Sequence, residues 1–153
     1  QHRPSGLALT RQNLAPSRLT YSAENLSAKG AYELIATDNA KVSIFASGSE
    51  VELAVKAAAE LNGKGIATRV VSVPCFELFQ EQPGDYRKAV IGNAPVKIAV
   101  EAAVRQGWDY FIGSDGDFVG MHSFGASGPA KDLFKHFGIT SDAIVAAAEK
   151  KLA

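Results

Sequence analysis

Few residues in this chain have the types and spacing that chemistry needs. Arg11 stands in Thr10-Arg11-Gln12-Asn13-Leu14, a polar cluster that follows an apolar run at residues 7–10. A guanidinium is a planar fork suited to phosphate, which Lys matches less well. Chemistry alone still favours a surface or salt-bridged Arg there. Ser47-Gly48-Ser49-Glu50 separates an apolar run from an amphipathic one, where α/β folds often bind anions on free N–H groups. It lacks the G-x-G-x-x-G glycines and the Lys of a phosphate-binding loop. A helix cap is the expected role, with Ser47 paired to Glu50 or Ser49 to Glu52.

The other candidates are weaker. Asp115-Gly116-Asp117 supplies two carboxylates without the further ligands that a hard cation requires, so turn chemistry explains it better. His2, His122 and His136 are scattered and Cys75 is the only cysteine, a poor basis for zinc. Ser123 beside His122 has no Gly-x-Ser-x-Gly elbow to make it a nucleophile. Cys75 follows Pro74 with no neighbouring cation and reads as an inert packed thiol.

Alternating elements must position these residues. Residues 7–10 read as a strand, and residues 11 to about 31 as a linker punctuated by Pro16, Ser17, Ser22, Asn25, Ser27 and Gly30. Strands are expected at 41–46 (KVSIFA), 68–73 (TRVVSV) and 96–100 (VKIAV). Between the first two, Val51, Ala54, Val55, Ala58 and Leu61 make one apolar stripe with Glu52, Lys56 and Glu60 opposite, and Asn62-Gly63 and Gly65 end the helix. Short helical turns fit 76–82 and 85–91. Residues 108–112 fit a helix end or a strand, and 118–121 a short edge strand. Two helices close the chain. Ser127 caps the first, with Pro129 early in its first turn and Ala130, Leu133, Phe134 and Phe137 as its stripe. Thr140 or Ser141 caps the second, with Ile144, Val145, Ala148 and Leu152 inward. Near-continuous apolar strands alternating with helices predict an α/β fold, a mostly parallel β-sheet flanked by helices on both faces.

Composition narrows the function classes. With 16 basic and 16 acidic residues the net charge is +0, so there is no electrostatic footprint for nucleic acid or an anionic membrane. No apolar run approaches the roughly 18–20 residues that span a bilayer. The single cysteine suits a reducing compartment, and the cytoplasm is the expected location. Hydrophobic residues make up 46% of 153 positions, enough for one core and a short appendage. The start at Gln1, without an apolar leader, suggests a piece of a longer polypeptide.

Several words of the sequence resemble transketolases. Leu9-Thr10-Arg11-Gln12-Asn13-Leu14 is similar to the family's S/T-R-Q-N-L segment, and Lys29-Gly30-Ala31-Tyr32 to K-G-G-Y, with Ala31 for the second Gly. Ser47-Gly48-Ser49-Glu50-Val51 resembles T-G-S-E-V, Arg69-Val70-Val71-Ser72 matches R-V-V-S, and Phe124-Gly125-Ala126-Ser127 matches F-G-A/E-S. The words occur in family order across almost the whole chain. The resemblance implies that residues 1–31 are the tail of a pyrimidine-binding domain plus linker and that 32–153 form a three-layer C-terminal domain. It implies a homodimeric parent that uses thiamine diphosphate and a divalent metal (Mg or Ca) to move a two-carbon ketol unit between sugar phosphates in the pentose phosphate pathway. Arg11 matches the family Arg that holds the sugar phosphate. The Gly-Asp-Gly metal motif, the Glu that activates the cofactor and the active-site histidines have no counterpart here. The chain is therefore expected to bind no cofactor or metal, to contain no catalytic residue and to be inactive alone, with the rest of the subunit as its partner. Rival expectations are a standalone α/β regulatory module that binds a ligand at Ser47–Glu50 and a protein-interaction domain.

Overall fold

The computed structural model describes residues 4–18 and 21–153. His2 therefore lies outside the described residues. Five strands form one sheet: β1 (Tyr32–Ile35), β2 (Val42–Ala46), β3 (Thr68–Ser72), β4 (Val96–Glu101) and β5 (Asp117–Gly120). Their order across the sheet is β1-β3-β2-β4-β5, and all neighbours are parallel except β1 with β3. The helices are α1 (Val51–Gly63), α2 (Phe76–Gln80), α3 (Gly84–Ile91), α4 (Asp109–Ile112), α5 (Ala130–His136) and α6 (Ser141–Leu152).

The layers follow from the hand of the crossovers. Strand β2 connects through α1 to β3 on one side, whereas β3 crosses back over β2 to reach β4, and β4 continues outward to β5. Right-handed connections running in opposite directions must lie on opposite faces. Accordingly α1 packs with α6 over one face, where Ala54, Ala57, Ala58, Leu61, Ile144, Val145 and Ala148 meet Ile44, Val70 and Ile98. The other face holds α2, α3 and α4 in an aromatic cluster with Phe45. Phe79 stacks on Phe111 with ring centroids 5.0 Å apart, and Phe76 meets Trp108 edge-on at 5.0 Å. The result is the expected three-layer α/β arrangement. Among the described residues no helix is long and apolar enough to cross a membrane.

Several local details differ from the sequence reading or settle its alternatives. Residues 7–10 form no strand: none of the five strands pairs with them, and Leu7 and Leu9 stay exposed at 87% and 81%. A strand needs a ladder partner. Strand β1 is an addition, a four-residue edge whose exposed Glu33 breaks the apolar run. Residues 108–112 resolve as the short helix α4, preceded by Trp108 with no side-chain cap. Ser127 does not cap α5, because the residue before that helix is Pro129 and no side chain bonds its first turn. Thr140 does cap α6, accepting the N–H of Ala143 at 3.2 Å. Ile144, Val145 and Ala148 are buried as expected, but Leu152 remains 39% exposed.

The entry to the domain is held at Gly30. Its φ is +80°, its carbonyl accepts the N–H of Cys75 at 2.9 Å, and a Cβ there would lie 2.2 Å from Phe79 N and 2.4 Å from Cys75 O. Gly30→Ala is expected to lower unfolding stability by about 2–4 kcal/mol, through strain and a forced shift of α2. Gly63→Ala, where a Cβ meets nothing within 4 Å, is the control and should be neutral or stabilising by up to about 1 kcal/mol. Urea denaturation of both variants checks the pair.

Candidate functional site

In an open parallel sheet the strand ends to inspect are those beside which the chain direction reverses. Here these are β2 and β4. Their register pairs Ala46 with Val100, so the next residues, Ser47 and Glu101, emerge side by side. The hydroxyl of Ser47 donates to Glu101 Oε2 at 2.5 Å. Close by, the turn Gly48–Glu50 leads into α1, and Ser49 Oγ donates to Glu50 Oε1 at 3.1 Å. Neither expected capping box forms. Ser47 is drawn off by a carboxylate 54 residues away, and Glu52 turns instead to Lys56 at 2.5 Å, the i,i+4 pair expected on the outer face.

The crevice is acidic. Glu50 is only 4% exposed, and burial pushes its carboxyl above the usual carboxylate range against the pull of its own backbone N–H and Ser49. Burial also raises Glu101, the nearby charge of Glu50 adds to the rise, and the Ser47 hydroxyl opposes it. Two acidic side chains line this spot, and among the described residues no cationic side chain is hydrogen-bonded to either of them. The Ser47–Glu50 turn is thus electrostatically unsuited to the phosphate that its position suggests. Sequence patterns gave no warning of Glu101, because the only local signal is a charge closing the apolar run VKIAV.

Arg11 lies elsewhere, on the exposed stretch before the domain. Thr10 Oγ1 accepts from both the backbone N–H (3.3 Å) and Nε2 (3.1 Å) of Gln12, closing a turn around Arg11. Gln12, Asn13 and Leu14 then line a groove of about 520 Å³ with Ser49, Glu52, Leu53 and Lys56 of the α1 region and Lys131 and Phe134 of α5. Lys56 holds the Glu52 carboxyl below the usual range, and the N–H of Ala15 and the charge of Lys131 add to this. Further on, the Arg18 guanidinium stands 5.3 Å from the centre of the Tyr32 ring. Ser49 belongs to both places, the acidic crevice and this groove.

The remaining candidates are engaged in structure. Lys151 donates to the carbonyl of Asp115 and lies 3.4 Å from Asp117, while Gly116 O accepts from Arg105 at 2.9 Å. That is turn chemistry. Cys75 is half-buried before α2, its thiol 3.4 Å from Glu77 Oε2. His122 and Ser123 lie exposed in one loop, and His136 packs edge-on against Phe137 at 4.8 Å. Among the described residues no three His, Cys, Asp or Glu side chains are grouped to hold a metal ion.

These features define a three-layer α/β domain that carries a basic, polar stretch ahead of it. A family model described as the transketolase-like TK C-terminal domain matches residues 30–140. A transketolase of Cereibacter sphaeroides is 52% identical over 97% of the chain, and one of Sinorhizobium medicae 56% identical over 95%. A solved transketolase from Leishmania mexicana superposes with a TM-score of 0.82 at 43% identity over 92% of the chain. One from Pichia stipitis, solved in complex with sedoheptulose 7-phosphate, gives 0.75 at 36% identity over 82%. The chain belongs to the transketolase family and contains its C-terminal domain. It spans 22% and 21% of the length of the two bacterial relatives, and 20% and 18% of the two solved chains.

The crevice makes its own pH prediction. Carboxyls raised in the folded state stabilise fully below their unfolded value, about 4.3, and that stabilisation is lost as pH rises through the folded values. Glu101→Gln removes the charge and keeps an acceptor for Ser47. It should raise Tm relative to the unsubstituted chain at pH 7, with a gap that closes towards pH 4. A gap constant across this range, measured by thermal melts, would contradict the burial of charge in the crevice.

Proposed function

We propose that this chain is the C-terminal portion of a transketolase subunit, with residues 1–31 as the tail of the pyrimidine-binding domain and linker and 32–153 as the C-terminal domain. The observation that carries this reading is coverage: 97% of the chain aligns with only 22% of a relative that is itself a transketolase. The parent transfers a two-carbon ketol unit between sugar phosphates in the pentose phosphate pathway, as a cytoplasmic homodimer. Arg11 takes the sugar-phosphate group, its fork meeting two phosphate oxygens. The bound sedoheptulose 7-phosphate of the Pichia stipitis relative supports this substrate class.

Thiamine diphosphate and a divalent metal belong to the parent and would supply its carbanion chemistry. The donors in this chain do not fit them. Glu50 and Glu101 are hydrogen-bonded to serines in the crevice, Asp117 faces Lys151, and no ligand cluster stands among the described residues. No proton transfer is assigned to residues of this chain. Its tasks are packing, contact with the rest of the subunit and one substrate contact. The acidic crevice argues against a separate regulatory module for anionic ligands.

Two measurements test the proposal. The purified chain, supplied with thiamine diphosphate and Mg, should show no ketol transfer, and measurable turnover would overturn its assignment as a non-catalytic portion. In the complete subunit, Arg11→Ala should raise KM for a ketose phosphate about 10- to 100-fold, the effect of losing a charged hydrogen bond. KM for an unphosphorylated donor should stay within a factor of two or so.

A further inference from the structure

One exposed apolar side chain carries no message by itself, since soluble domains leave many uncovered. At the loop after β5 several observations coincide. Residues 122–129 are all exposed, and Phe124 stands 99% open to solvent. From Phe118 to Ala130 there is no Asp, Glu, Lys or Arg, although such residues make up 21% of the chain. A loop that meets only water tolerates charge freely. The buried centre of a protein interface is depleted of it and enriched in Phe and Met. Among the described residues no backbone N–H from His122 to Gly128 is bonded to protein.

The loop also frames a recess. Met121, Gly125 and Ala126 line it together with Ala102, which follows β4, and with Leu133 and Phe137 of the α5 region. Its volume is about 160 Å³, and no polar side chain lines it. The N–H of Met121 donates to the carbonyl of Ala103 at 2.9 Å, which ties the loop after β5 to the loop after β4. Because β4 and β5 are parallel, Val104, 54% exposed, leaves the same end of the sheet as Phe124. An aromatic knob beside an apolar hole is how interfaces are anchored.

Charge and length select the occupant. A surface without cations offers nothing to a phosphate-rich partner such as nucleic acid. This chain matches only 22% and 21% of the length of its two bacterial relatives. Domains joined in one polypeptide meet at high effective concentration, so an apolar face on the remainder is the favoured cover. We infer that Phe124, Val104 and the recess form the surface by which this domain seats on the rest of its transketolase subunit, against an apolar face there. The inference rests on the proposed membership of a larger subunit and adds where the contact lies and what chemistry makes it.

The test compares the 153-residue chain with the complete subunit. By hydrogen exchange, the amides of residues 122–128 should be at least about 100-fold more protected in the complete subunit. Phe124→Asp should lower the Tm of the complete subunit by about 3 °C or more and leave that of the chain within about 1 °C. Phe124→Leu, still apolar, should lose about half as much or less. If the source protein has no mass beyond that of this chain, the reading beneath the inference fails. If a larger subunit exists and these amides exchange as fast in it as in the chain alone, the inference is overturned while that reading stands. An equal loss of Tm in chain and subunit would make Phe124 part of the domain's own packing and also overturn it. So would dissociation of the complete protein into single subunits by Phe124→Asp, which would assign the surface to a second copy.

Discussion

Strand β2 has no face left for water. All five of its residues are buried, including Ser43, and it is paired in parallel on both sides from Val42 onward. A central strand of this kind forces a layer of helices above and another below. It also forces the crossovers to leave on opposite faces, since β3 lies to one side and β4 to the other. The same register that aligns Ala46 with Val100 then delivers Ser47 and Glu101 to one spot at the strand ends. The acidic crevice is a consequence of how β2 is buried.

The two faces solve their packing differently. Small side chains at Ala54, Ala57 and Ala58 let α1 lie close to the sheet and to α6. Lys64 bridges the two helices, bonding Glu60 at 2.8 Å and Glu149 at 2.7 Å, although an exposed network of this kind adds little. Opposite, short helices supply large rings. Phe45, Phe76, Phe79, Trp108 and Phe111 fill the space that α2, α3 and α4 are too short to close with aliphatic side chains. Gly30 sits where the incoming backbone touches this aromatic layer, at the start of α2, and no Cβ fits there. Arg69 ties the edge strand to α3, 2.6 Å from Glu33 of β1 and 2.8 Å from the carbonyl of Val90 at the end of α3.

Burial made the sheet legible in the sequence. Strands β2, β3 and β4 are apolar runs because they are covered on both faces, and the stripe of α1 follows from its single buried side. Strand β1 escaped notice because an edge strand of four residues with Glu33 exposed carries almost no pattern. The caps at Ser47 and Ser127 failed for another reason. A capping box is a local rule, and the hydroxyl of Ser47 answered to Glu101, a partner that only the register brings near. Residues 7–10 have the period of a strand, yet period does not supply a ladder partner. The reading of Arg11 as a phosphate contact comes only from family resemblance, and the groove that residues 12–14 share with α1 has no sequence signal, because it depends on how the chain lies over the helix.

Arg11 stands at a seam between two differently satisfied stretches. On its N-terminal side, Leu7 and Leu9 are almost fully exposed, although burying each would be worth about 1.5–3 kcal/mol. Neither is covered among the described residues. On its C-terminal side, Gln12, Asn13 and Leu14 line a groove together with Glu52, Leu53 and Lys56 of α1, with Arg18 on Tyr32 beyond them. A guanidinium with a long flexible stem gains little precision from its own contacts when exposed. Its direction comes from the backbone that carries it, and here that backbone runs along a groove shared with a helix whose first turn also borders the acidic crevice.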